Sequence, residues 1–146
     1  MHNYIIIPIL FFIMSQSAQS QETEGLPAAF VCELEAGIFN EYVNGDFRSE
    51  TEKPFSLVFA SIDWDSGKAQ MIGNLGAVEI DFLIGQHQIN LIEITESGSI
   101  NITSIFYIDW EEGDVSSPWP AFHSRHIGYA GGPMVSQYPG RCYARD

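Results

Sequence analysis

Positive charge is scarce in this chain. Six Lys and Arg stand against nineteen Asp and Glu, for a formal net charge of −13, and only Lys53 and Lys68 are lysines. A surface of that sign repels polyphosphate backbones and anionic lipid, which argues against nucleic acid as a partner. The acids are scattered rather than blocked, so they read first as a solvated surface and only second as bait for a basic partner or divalent cations. Cysteine is scarcer still, with Cys32 and Cys142 alone. Two cysteines this far apart give no Cys-x-x-Cys redox pair and no activated thiol.

Catalytic templates are missing too. There is no Gly-x-Ser-x-Gly elbow and no His-Glu-x-x-His pair. Gly73-Asn74-Leu75-Gly76 has neither the lysine nor the following helix of a phosphate loop. Carboxylates abound, but in so acidic a chain their pairing indicates nothing specific. No cofactor motif is present, and an enzyme is the less favoured reading. A sustained helical period is absent as well.

What the chain does have begins with an apolar run, Ile5 to Met14, followed by polar Ser15 to Ser20 ending in Ala18-Gln19-Ser20. Small residues at the positions a signal peptidase reads predict cleavage after Ser20, although no Lys or Arg precedes the run. The run falls short of the roughly 20 apolar residues a membrane-spanning helix needs. Residues 1–20 are therefore expected to be a signal peptide, residues 21–28 a polar lead-in, and residues 29–146 a single β domain in the periplasm or outside the cell. No integral membrane segment is expected after the signal, and the domain is expected to be a monomer.

Within that domain, alternation predicts strands. Phe30, Cys32 and Leu34 share one parity, so Cys32 should point inward. Asn44-Gly45-Asp46 is a turn candidate, but the charged segment from Arg48 to Lys53 makes residues 37–54 read as a long loop or frayed hairpin. Further strands are predicted for residues 55–62, 69–72, 77–84, 89–95, 99–108, 121–129 and 134–142. In residues 77–84, Val78, Ile80, Phe82 and Ile84 are expected inward. Asp65-Ser66-Gly67, Glu96-Ser97-Gly98 and Ala130-Gly131-Gly132-Pro133 supply turns. The fold class is all-β: a small antiparallel β-barrel of about eight strands, lipocalin-like in its up-and-down order, or a two-sheet sandwich. A barrel leaves no free edges and brings first and last strands together, where a Cys32–Cys142 disulfide would sit.

Two features invite a functional reading. Ile62-Asp63-Trp64-Asp65-Ser66-Gly67 is echoed by Ile108-Asp109-Trp110-Glu111-Glu112-Gly113. Two such turns at one end of a barrel would offer Asp63, Asp65, Asp109 and Glu111, with Glu112 and Asp114, to calcium. An EF-hand loop begun at Asp63 fails, because Gly67 and Asn74 fall on its fifth and twelfth positions. The plainer reading, strand ends that reuse good turn chemistry, is preferred.

The second feature is His123-Ser124-Arg125-His126. On a strand His123 and His126 face opposite ways and cannot share a metal by themselves. Counting back from the turn at residues 130–133 sets Arg125 opposite Tyr138 and His126 opposite Gln137. His123, Arg125 and Tyr138 would then form a small-anion patch in or near a barrel mouth. The competing and preferred reading is cross-strand pairing on a solvent-exposed face. Asn101-Ile102-Thr103 matches a glycosylation sequon.

The early Cys32, the strand His123-Ser124-Arg125-His126 and the closing Ser136-Gln137-Tyr138-Pro139-Gly140-Arg141-Cys142 together resemble small exported proteobacterial proteins of unknown function. The resemblance rests on the last twenty-five or so residues and the cysteine placement. It implies export, a β-rich domain and a structural disulfide, and it lends no catalytic residues. The expectation is a non-enzymatic module that binds a small ligand or a protein partner. The alternative is a hydrolase-like enzyme using His123 or His126 with a carboxylate.

Overall fold

The computed structural model describes residues 26–73, 76–106, 118–129 and 131–145. Ten strands lie among them: β1 (Ala29–Leu34), β2 (Gly37–Val43), β3 (Asp46–Glu52), β4 (Phe55–Asp63), β5 (Lys68–Gly73), β6 (Gly76–Ile84), β7 (Gln88–Ile94), β8 (Ile100–Phe106), β9 (Trp119–Tyr129) and β10 (Gly132–Arg145). All pairings are antiparallel. The order β1-β4-β5-β6-β7-β8-β9-β10 closes on itself through β1–β10. The protein is an eight-stranded barrel rather than a sandwich, and β2–β3 is a hairpin arm added to it.

Closure depends on the length of β10. Its end, Gly140 to Arg145, pairs with β1, and its earlier part, Met134 to Gln137, pairs with β2. β1 and β2 thus follow one another along the same neighbour, with the Glu35 amide donating to the Pro139 carbonyl at the break (2.8 Å). Cys32 stands directly opposite Cys142 in this seam, both are fully buried, and they form the disulfide across a separation of 110 residues. Such a bond is consistent with an oxidising compartment. Among the described residues no helix is long and apolar enough to cross a membrane.

The arm is a regular hairpin, not the loop or frayed hairpin its composition indicated. Its two strands pair from Gly37↔Glu52 to Val43↔Asp46. The turn is Asn44-Gly45, both with positive φ (54° and 92°), the combination a tight two-residue hairpin needs. β3 is exposed along nearly its whole length, so nothing requires its residues to alternate between apolar and polar.

Inside the barrel, alternation sorts the residues as expected along most strands. Phe30, Phe59, Ile89, Leu91 and Ile105 are 2 % exposed or less. Burying a side chain of this size contributes about 1.5–3 kcal/mol. In β6 only Ile80 and Phe82 are buried, while Val78 and Ile84 are 43 % and 58 % exposed. Parity fixes a face, but the outer residues of a strand end above or below the packed layer. Trp119 and Pro120, read from sequence as loop, open β9, and Trp119 packs on Phe30 with ring centroids 5.5 Å apart.

One end of the barrel is plugged by aromatic residues. A register shift between Ala60 and Asp63, with Ser61 at φ 50°, carries the chain toward Trp64. The Trp64 indole donates to the Pro27 carbonyl (3.0 Å) and meets the Phe82 ring edge-on at 5.4 Å. The other end is built differently.

Candidate functional site

At that second end, rows of inward residues cross the sheet and are polar. The β7–β8, β8–β9, β9–β10 and β10–β2 registers place Glu93, Asn101, Arg125, Ser136 and Phe39 in one row. One step deeper lie Leu91, Thr103, His123 and Tyr138. Thr103, His123 and Tyr138 are 2 %, 2 % and 1 % exposed, whereas Glu93, Asn101 and Arg125 are half-buried. The deeper row is a floor and the upper row a rim. Gly37 makes room for the floor, because a Cβ there would overlap the Tyr138 ring and the Gln137 carbonyl.

His123 is the hinge of this arrangement. Arg125 Nε donates to His123 Nε2 (3.3 Å), so that nitrogen carries no proton. The ring proton of the neutral imidazole is then on Nδ1 and is donated to Thr103 Oγ1 (2.8 Å). Burial, and secondarily the charge of Arg125, pushes the His123 pKa down to about 4. Phe55 stands against the same group: its ring meets Tyr138 edge-on at 4.8 Å and His123 at 5.6 Å. The Arg125 guanidinium lies 4.7 Å from the Phe55 centroid and 5.4 Å from that of Tyr138, within cation–π range.

Arg125 has no carboxylate within ion-pairing distance among the described residues. The ion pairs there belong to Lys68, with Asp81 at 2.6 Å and Glu79 at 3.5 Å on the barrel's outside. Glu93 instead accepts from the Asn101 side-chain amide. The other end of that amide, Asn101 Oδ1, is buried and has no hydrogen-bond partner among the described residues. Burying a polar atom unpaired costs about 1–3 kcal/mol, so this acceptor is unusual.

The structure thus brings His123, Arg125 and Tyr138 together, but inside the barrel and not on a solvent-exposed face. The register also differs from the count made from the turn: Arg125 faces Ser136, His126 faces Val135, and Tyr138 faces His123. The strands pair two residues further along than that count because Gly132 already bonds in register with Tyr129. His126 is exposed on the outer surface. Phe55 and Glu93 were not singled out from sequence, and Asn101 and Thr103 stood out only as a glycosylation sequon. A parity signal existed: Glu93 shares the face of Ile89 and Leu91, and Asn101 and Thr103 share that of Ile105. This also removes the sequon, since Asn101 is turned inward and Thr103 is buried.

Of the acidic-turn residues, Asp63 caps its own turn. Its Oδ1 accepts from the amides of Asp65 (3.1 Å) and Ser66 (3.2 Å). Hydrogen bonds from Ser66, and then from the Asp65 amide, hold its carboxyl below the usual value. Asp109, Glu111, Glu112 and Asp114 lie outside the described residues. Among the described residues no three His, Cys, Asp or Glu side chains gather into a metal-sized group.

Fold and site together define a closed antiparallel barrel that holds, inside one end, a guanidinium with no carboxylate partner among the described residues. No protein-family model matches the chain, no curated protein matches it, and no solved structure matches it.

Proposed function

We propose that this protein is a non-enzymatic binding module, exported to the periplasm or beyond the cell, that takes a small anion at the polar end of its barrel. The observation that carries the reading is Arg125: a guanidinium on the inward face, against two aromatic rings, with a neutral histidine as its hydrogen-bond acceptor and no carboxylate of the described residues beside it. A half-buried charge is costly unless paired, and an arriving anion would supply the missing partner in a forked geometry that guanidinium favours. Thr103 and His123 lock the arginine's position from beneath, so little ordering would be needed on binding.

A hydrolase-like reading asks for a carboxylate beside an imidazole and a reachable nucleophile. Among the described residues His123 has Thr103 and Arg125 as its hydrogen-bond partners, and both His123 and Thr103 are buried. That favours binding over turnover. The test is calorimetric titration of the exported protein with small carboxylates and inorganic phosphate, beside Arg125→Met. Binding that the variant loses supports the proposal. Binding of equal strength in both proteins, or in neither, contradicts it.

A further inference from the structure

Resting on the anion site just proposed, the structure assigns its ligand class: a zwitterionic α-amino acid, with its carboxylate on Arg125 and its ammonium on Asn101 and Glu93. Glu93, Asn101 and Arg125 occupy successive strands at one level, so the two charges are separated by two strand spacings, about 10 Å between backbones. Asn101 lies between them. Its amide nitrogen is turned to Glu93, and an amide's oxygen points away from its nitrogen, so Oδ1 is turned from Glu93. That oxygen is the acceptor buried without a donor among the described residues.

A plain anion would satisfy Arg125 and leave this acceptor as it is. It would also bring negative charge toward Glu93, the next group in the row. A ligand with a donor on the carbon next to its carboxylate resolves both problems. Its carboxylate accepts from the guanidinium, its donor fills Asn101 Oδ1, and a positive charge on that donor is balanced by Glu93. The opposed charges of Glu93 and Arg125 sum to zero, as do those of a free amino acid. A charged group placed against its opposite and hydrogen-bonded discriminates more strongly than a neutral contact.

The experiment compares pairs of ligands that differ only in the ammonium: glycine with acetate, leucine with 4-methylpentanoate, and phenylalanine with 3-phenylpropanoate. Affinities for the full exported protein are measured by calorimetry at constant pH and salt. At least one amino acid is expected to bind about tenfold or more tightly than its des-amino partner. Asn101→Leu should reduce that preference to about twofold or less, and Glu93→Gln, which keeps a hydrogen-bonding side chain and is the gentler change for folding, should reduce it too. Des-amino acids that bind as well as the amino acids would overturn the zwitterion and leave the anion site standing. A preference that survives both variants would overturn the assignment to Asn101 and Glu93. If neither set binds and inorganic phosphate fails as well, the anion site itself is overturned.

Discussion

The two ends of this barrel are built from the same strands and to opposite purposes. At one end Trp64, Trp119, Phe30 and Phe82 close the interior with rings, and the Cys32–Cys142 bond stitches the seam beside them. At the other, Arg125, Asn101 and Glu93 stand half-buried above His123, Thr103 and Tyr138. The closed end gains stability from apolar burial, which needs no ligand. The open end holds charged and polar groups that a fold seeking stability alone would replace with apolar ones. The proposed anion site rests on this difference, because polar groups placed inside a barrel at a cost are where a binding role would sit.

The comparison can be broken most severely at the closed end. Replacing both cysteines by alanine should lower unfolding free energy by about 4 kcal/mol, since the loop the bond closes exceeds 100 residues. Denaturant unfolding of the oxidised wild type against the variant checks it, and a loss below about 1 kcal/mol would mean that the seam holds without the bond. Phe30→Ala at the same end should cost about 3–4 kcal/mol through the cavity it leaves.

At the open end the same kind of measurement should respond to pH. His123 has a folded-state pKa of about 4, below the 6.5 of an unfolded chain. The unfolded state therefore binds the extra proton first. This contribution is complete above pH 6.5, is lost as pH falls toward 4, and is constant below that. The loss amounts to about 3 kcal/mol by linkage. The difference in unfolding free energy between wild type and His123→Leu, followed from pH 7 to pH 4, should track this loss. A difference independent of pH would show that His123 is not held neutral.

Arg125→Met should change stability by less than about 1 kcal/mol, or raise it, while removing anion binding. A large loss of stability would recast Arg125 as a structural residue. Smallest of all is Phe47→Ala on the arm. Phe47 is 82 % exposed and touches Tyr42 at 4.9 Å between ring centroids, so the cost should stay within about 1 kcal/mol.

The closed end was far easier to read from sequence than the open one. Phe30-x-Cys32-x-Leu34, the turn residues and the two cysteines announce an all-β domain with its ends tied together, barrel or sandwich, because apolar alternation and glycine turns are direct signals of strands and hairpins. The arm escaped because Asp46 to Glu52 is solvent-exposed along nearly all its length, and an exposed strand leaves no pattern of burial. His123, Arg125 and Tyr138 were legible as sharers of a face, but parity does not say which face is inside. Polar residues are normally outside, so that prior pointed the wrong way. The inward placement of Glu93, and of Asn101 and Thr103, which drew notice only as a sequon, was hidden by the same expectation, although each carries the parity of a buried isoleucine or leucine on its own strand.

The account stands most directly on one comparison: native mass spectrometry of the protein taken from its own compartment, wild type beside Arg125→Met. The account predicts a bound small molecule on the wild-type chain that is absent from the variant. No bound mass on either chain, or the same bound mass at equal occupancy on both, would contradict it.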